Sequence, residues 1–307
     1  MQVFIADKLD EQATELLCKT GLEVIVKTGL AGDDLKAAVS KAYVLAVRSL
    51  PKVTSDVIAA AKNLKLIVRA GVGLDNIDIA AAEKAGILVR NTPSATSTSV
   101  AELCIGLMLA LVRHIPQANT KLHQGIWEKS AFAGTELSGK TLGLLGLGRI
   151  GQEVAKRARG FGMKIIAHDP YLKPEQASTL EIPLLPLNEV LCQANVLSLH
   201  LPLAAASKNL LNAEKLALLP KDAILINCAR GGVVDEHATA EALKNGHLRG
   251  AAFDVFAEEP LNHSPFMGLP NVILTPHLGA STKEGQWRAS MELAQIVIEF
   301  FEARQQL

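Results

Sequence analysis

An arginine, a carboxylate and a histidine each follow a short apolar run in the second half of the chain. Arg230 lies in Cys228-Ala229-Arg230-Gly231-Gly232, Glu259 in the segment from Asp254 to Pro260, and His277 in Thr275-Pro276-His277-Leu278-Gly279. The trio suits carbonyl chemistry. Histidine has the unperturbed pKa closest to neutrality and can pass a proton in either direction. A carboxylate within hydrogen-bond reach orients an imidazole and favours its charged form. The planar fork of arginine pairs with a carboxylate and stabilises negative charge developing on a carbonyl oxygen. For any one of these side chains taken alone, a polar strand end or a surface ion pair is the better reading. Their placement after successive strand-length runs favours catalysis, because ligands of open parallel sheets bind beyond the carboxyl ends of the strands.

The elements that must position them are legible as apolar runs of strand length alternating with longer helical patterns, the mark of βα units and parallel sheets. A first series comprises strands at 3–6, 24–26, 44–47, 66–68 and 87–89, with helical stretches at 10–19, 33–42 and 55–61. A second comprises 141–145, 164–167, 196–200, 223–228, 251–255 and 272–275. Between the two series an apolar helix is expected over 97–115, stopping before Pro116, and an amphipathic helix over 283–303 follows the last strand.

Gly146-Leu147-Gly148-Arg149-Ile150-Gly151 directly follows the run 141–145 and opens a helical stretch. A GxGxxG pattern alone is weak, since glycines serve ordinary turns; a strand before it and a helix after it supply the dinucleotide-binding context. The first glycine permits the tight turn, the second lets backbone approach a pyrophosphate, and the third allows close helix packing. Asp169 closes the next run, where a carboxylate accepts from the adenosine ribose hydroxyls and repels a 2′-phosphate. Pro170 and Tyr171 follow it instead of an arginine, so NAD is expected over NADP. An Asp-Pro turn is the plainer alternative for Asp169.

The expected architecture is α/β, with two doubly wound parallel-sheet domains in 307 residues. Residues 96–282 form a Rossmann-type NAD-binding domain, and residues 1–95 plus 283–307 a flavodoxin-like, discontinuous substrate domain. Lys and Arg total 31, as do Asp and Glu, which excludes the strongly basic balance of a nucleic-acid binder. No apolar run is long enough for a membrane span, and the first residues read as a strand rather than a signal peptide. Cys18, Cys104, Cys192 and Cys228 lack CxxC or metal-ligand spacing; buried, reduced thiols in a cytoplasmic protein are expected.

Several ordered segments give the chain a family likeness: Arg69-Ala70-Gly71-Val72-Gly73-Leu74-Asp75-Asn76-Ile77-Asp78, Gly139 through Gly151, Asn227 through Gly232, Asp254-Val255-Phe256 with Glu259-Pro260, and Pro276 through Thr282. Along almost its whole length it resembles the D-isomer-specific 2-hydroxyacid dehydrogenases, and among them the phosphoglycerate-oxidising members. The resemblance implies that His277 is the general acid/base, Glu259 its partner, and Arg230 the clamp on the substrate carboxylate and carbonyl. It also implies that Asp254 contacts the nicotinamide carboxamide and that the stretch from His200 through Pro202 lines the cofactor. Arg149, Ile150 and Cys228 are counted with these cofactor contacts. Members often carry threonine where Leu201 stands, so that hydroxyl contact is missing here.

On the substrate side, Arg48 and Ser49 follow one strand and Arg69 another, so both guanidiniums are expected to project from the sheet edge. In Gly71-Val72-Gly73, the N–H groups of Val72 and Gly73 are expected to cradle a carboxylate, as the resemblance also implies. Asn91 is a further positioning candidate, and Lys52 reads as solvated. A carboxylate at one end and a phosphate at the other fit this layout. The expectation is NAD-dependent oxidation of 3-phospho-D-glycerate to 3-phosphohydroxypyruvate, on the way to serine. A glyoxylate or hydroxypyruvate reductase and, more remotely, an NAD-sensing corepressor-like protein are the alternatives. Because the sequence stops soon after the final helix, a short form without C-terminal regulatory domains is expected. The partners expected are a small-molecule substrate and a second copy, as homodimer or homotetramer, with neither nucleic acid nor membrane.

Overall fold

Burial on both faces makes the strands of a parallel sheet almost continuously apolar, and this is what the runs encode. A computed structural model describes residues 1–305. The first five strands are β1 (Gln2–Ile5), β2 (Glu23–Val26), β3 (Val44–Val47), β4 (Leu66–Arg69) and β5 (Leu88–Asn91). They form one parallel sheet in the order β2-β1-β3-β4-β5, which is the flavodoxin-like order. Val3, Ile5, Val44, Ala46, Leu66 and Val68 face one core with Leu17, Leu293, Val297 and Phe301. Phe4, Leu45, Val47 and Ile67 face the other, against Leu35, Val57 and Ile58.

The second sheet holds β6 (Thr141–Leu145), β7 (Lys164–His168), β8 (Val196–Leu199), β9 (Ala223–Asn227), β10 (Leu248–Phe253) and β11 (Val272–Leu274), ordered β11-β10-β9-β8-β6-β7. All its pairs are parallel. A seventh chain segment adds one isolated bridge beside β7, Ala167 to Leu184. Counting that bridge as the third strand, the order becomes 3-2-1-4-5-6-7, which is the 3-2-1-4-5-6 of dinucleotide-binding sheets with β11 added at the edge. No strand is expected there from sequence, because the flanking Pro183 and Pro186 withhold the N–H groups a longer ladder needs. Leu142 and Leu144 face one core of this sheet and Leu145 the other.

The chain divides into two compact units: Met1–Ser97 together with the chain from Ala280 onward, and Thr98–Gly279. Within the first, the final helix Lys283–Gln305 packs on the helix Glu11–Lys19. The Asp10 N–H donates to Ser290 Oγ at 3.0 Å, and Trp287 Nε1 to Gln12 Oε1 at 3.0 Å. Helix starts are marked by side-chain caps: Asp10, Asp78, Asn212 and Asp235 each accept from an N–H of the first turn, worth ~1 kcal/mol apiece.

The apolar stretch expected as one helix over 97–115 is two. Ser97–Val112 ends first, His114 adopts φ 53°, and a second helix, Ile115–His123, leaves at 64°. Pro116 opens that second helix rather than closing the first, since a missing N–H is harmless in a first turn. Among the described residues, no single helix is long and apolar enough to cross a membrane. Cys104 and Cys228 are buried, but Cys18 and Cys192 are exposed, correcting the expectation of four buried thiols; both exposed cysteines lie on short helices.

Candidate active site

Parallel pairing aligns the strand ends of the second unit in one row. Lateral Cα partners run from His168 to Leu145, Leu199, Asn227, Phe253 and Leu274. The residues just beyond that row are Asp169, Gly146, His200, Cys228, Asp254 and Thr275, so every predicted cofactor or catalytic segment of this unit leaves the sheet at one edge.

At the glycine turn, Gly146 has φ 93°, and a Cβ there would lie 2.5 Å from the carbonyl oxygen of His200. A Cβ on Gly151 would lie 2.3 Å from the Gly146 carbonyl oxygen, so the helix Arg149–Gly160 starts against the turn. A Cβ on Gly148 would meet nothing within 4 Å. The first and third glycines are therefore required by the protein's own packing, whereas the second faces open space at a helix N-terminus, where a pyrophosphate fits. Arg149 is exposed and Ile150 packs partly into the core. A Leu201 methyl stands 3.2 Å from where a Cβ on Gly146 would lie, so an apolar side chain packs against the turn at this position. Pro202 is exposed, its carbonyl accepting from Ser207 Oγ at 2.6 Å.

Asp169 is held by backbone donors on both carboxylate oxygens. Its Oδ1 accepts from the N–H groups of Tyr171 and Leu172 at 3.0 and 3.2 Å, the Asx-turn reading. Its Oδ2 accepts from the Leu147 N–H at 2.8 Å, tying the end of β7 to the glycine turn. With two lone pairs on each oxygen, one remains on Oδ2 for a ribose hydroxyl. His200 places Nε2 3.0 Å from Ser198 Oγ, while its buried Nδ1 has no partner among the described residues. Burial drives its pKa down to about 4, so the imidazole is neutral. The Cys228 thiol is in the core beside Cys104, and its pKa is raised well above the ordinary value by that hydrogen bond and then by burial. Only the Cys228 backbone is left to serve the cofactor.

His277 Nδ1 lies 2.7 Å from Glu259 Oε2, and Glu259 Oε1 accepts from the Phe256 N–H at 3.0 Å. The carboxylate thus holds both the imidazole and its own loop, leaving Nε2 as the ring nitrogen that can exchange a proton. Glu258 is exposed. Arg230 is carried against this loop: a Cβ on Gly231 would sit 1.7 Å from the Phe256 carbonyl oxygen. Buried Asn227, the last residue of β9, accepts from the Ala229 N–H at 3.1 Å and donates to the Arg230 carbonyl at 3.0 Å. Asn227 is thus a supporting residue, quoted in the motif but given no role from sequence; the available signal was one amide closing an otherwise apolar strand. Arg230 Nη1 donates to the Ala229 carbonyl at 2.7 Å.

In the first unit, Arg69 does not simply project from the sheet edge as expected. Its Nε donates to the Arg48 carbonyl at 2.8 Å and its Nη1 to the Gly73 carbonyl. Asn91 Nδ2 donates to the Val72 carbonyl at 2.5 Å, and Thr92 Oγ1 accepts from the Gly71 N–H at 2.8 Å. The carbonyls of Val72 and Gly73 are thereby occupied, and no hydrogen bond among the described residues uses their N–H groups. Two successive backbone donors are thus left without a protein acceptor among the described residues. Thr92 was the contributor missed from sequence, a fully buried polar residue just past β5. Arg48 is half-buried, and its guanidinium enters no hydrogen bond or ion pair among the described residues; Ser49 and Lys52 are exposed.

A doubly wound sheet with a glycine turn, a carboxylate at the end of the next strand and a His–Glu pair on one edge defines a nicotinamide-nucleotide dehydrogenase fold. Residues 105–279 match the D-isomer specific 2-hydroxyacid dehydrogenase family, NAD binding domain, and the chain belongs to that family. It is 50% identical over 296 residues to a D-3-phosphoglycerate dehydrogenase of Methanocaldococcus jannaschii, covering 96% of this chain but 56% of that one. The chain thus spans little more than half the length of that curated relative. A hydroxypyruvate reductase of Thermotoga maritima is 46% identical over 301 residues, 97% of each chain. A solved structure from Thermus thermophilus superposes with TM-score 0.90 at 38% identity, covering 99% of this chain and 97% of its own.

Proposed function

We propose that this chain oxidises 3-phospho-D-glycerate to 3-phosphohydroxypyruvate with NAD, the first step toward serine. The observation that carries the reading is the His277–Glu259 pair, 2.7 Å apart, on the strand edge that also bears the glycine turn. NAD, when bound, accepts the hydride from the carbon bearing the hydroxyl. The chain's own groups do the rest. With Nδ1–H donated to Glu259, His277 Nε2 takes the hydroxyl proton as the alcohol becomes a carbonyl, and returns it in reduction. Glu259 stabilises the imidazolium that results. Arg230 pairs with the substrate's carboxylate and with the hydroxyl oxygen that becomes the carbonyl oxygen, favouring the planar carbonyl product. The N–H groups of Val72 and Gly73 hold the carboxylate end, with Arg69, Asn91 and Thr92 keeping that turn rigid. Arg48 is assigned to the phosphate because its guanidinium has no protein acceptor among the described residues.

Reduction of hydroxypyruvate or glyoxylate is the second reading, favoured by the full-length match to the Thermotoga reductase. The same trio would serve it without a phosphate contact. The two are separated by kcat/KM for 3-phosphoglycerate with NAD against hydroxypyruvate and glyoxylate with NADH, in the native chain and in Arg48→Ala. The expected outcome is a loss of roughly 10² on the phosphorylated substrate and a change within about threefold on the others. Equal losses would remove the phosphate assignment and leave the reductase.

A homodimer or homotetramer in the cytoplasm completes the proposal. It is supported by free thiols at all four cysteines and by exposed apolar side chains on Ile115, Leu122, Ile126 and Trp127.

A further inference from the structure

We propose that Asp254 is the positioning residue of His277, acting through the backbone of the loop that carries it; this rests on His277 being the acid/base. Asp254 is 1% exposed and stands one residue past β10. Its Oδ1 accepts from Thr275 Oγ1 at 2.6 Å and from the Leu278 N–H at 2.7 Å, and its Oδ2 from the Gly279 N–H at 2.8 Å. The Asp254 carbonyl also accepts from the His277 N–H at 2.9 Å. Four hydrogen bonds from one residue therefore grip the chain on both sides of His277.

They are needed because His277 has φ 53°. The left-handed region is uncommon for a residue with a Cβ and persists only where its surroundings determine it. Without the carboxylate, the adjacent N–H groups of Leu278 and Gly279 lose their common acceptor, and the turn has an alternative extended path. The loop's departure would carry the imidazole away from Glu259. Glu259 sets the ring's rotation and tautomer, whereas Asp254 sets where the ring's Cα stands. Three donors leave one lone pair on Oδ2, so contact with a nicotinamide amide is compatible with this role. That contact alone would not call for two backbone N–H groups and a threonine from the catalytic loop.

The test compares Asp254→Asn, Thr275→Val and His277→Asn in the full chain. The readouts are kcat at saturating substrates, NAD dissociation constant, amide exchange at Leu278 and Gly279, and the His277 Nδ1–H resonance. Asp254→Asn is expected to lower kcat on the order of 10²-fold, as for a small misplacement of a catalytic group. NAD affinity should stay within about threefold, while both amides lose protection and the Nδ1–H resonance broadens or vanishes. Thr275→Val should move each readout the same way by less. A weakened NAD complex with kcat and amide protection intact would overturn the proposal and leave a cofactor contact. If Asp254→Asn does not fold, unchanged kcat and protection in Thr275→Val overturns it equally. Retained turnover in His277→Asn would instead remove the acid/base reading itself; loss there with none in Asp254→Asn sinks only the positioning role.

Discussion

His200 and His277 show how differently one residue type is used along one sheet edge. The His277 side chain is 53% exposed and paired with Glu259, an arrangement compatible with the proposed proton transfer. His200 is packed beside the glycine turn, and loss of solvation holds its pKa near 4. In the unfolded chain a histidine takes up its proton near 6.5. Between pH 6.5 and 4 the unfolded state therefore binds more protons than the folded one, and stability falls as pH falls through that window. Above 6.5 the contribution is complete; across the window up to about 3 kcal/mol is lost. Denaturant unfolding at pH 7, 5.5 and 4.5 should show a steeper decline for the native chain than for His200→Gln. Parallel declines would mean that His200 is solvated. The same scale explains what spacing could not show: Asp169 and Arg69 each stand at a strand end, yet both side chains are engaged by backbone groups. A side chain's type suggests its ligands, but only its surroundings reveal which of its hydrogen-bonding positions remain.

The strand-end loops act as a packed set rather than as separate carriers of one residue each. Gly231 is the tightest point, with its Cα side facing the Phe256–Ala257 peptide. Adding a methyl there places it 2.0 Å from the Phe256 carbonyl carbon, so one loop must move. The Phe256 N–H holds Glu259, and the displacement reaches the His277 partner. Gly231→Ala is expected to cost about 1–3 kcal/mol in stability. Turnover should fall on the order of 10²-fold, read from the denaturation midpoint and kcat together. If both are unchanged, the two loops are not in contact in solution. Strands were legible here because double burial leaves long apolar runs, and the glycine turn because its neighbours named its context. The break at His114 and the bridge at Leu184 were not, since both depend on prolines whose effect changes with position in an element.

For the molecule as a whole, the apolar surface of the helix Ile115–His123 and the residues after it is unaccounted for by the fold. Trp127 is 81% exposed, with Leu122, Ile115 and Ile126 also open to solvent. Such a group marks an association surface, and a second copy is the proposed occupant. Sedimentation velocity should give a dimer or larger for the native chain and a shift toward monomer for Trp127→Glu. An unchanged mass would move the interface elsewhere.

The sequence by itself determined the α/β class, both series of strands and the dinucleotide turn, and it singled out Arg230, Glu259 and His277 as the candidate trio. Each of these is written locally, in apolar runs set by burial and in glycines set by backbone geometry. Only the tertiary structure decided how those groups are held: the lateral row of strand ends, the Val72–Gly73 carbonyls capped from Arg69 and Asn91, and Asp254 gripping the His277 loop. The physical reason is that a hydrogen bond joins atoms a few ångströms apart, whatever their separation along the chain. Asp254 and Gly279 are 25 residues apart, a distance over which local spacing carries no record of the contact.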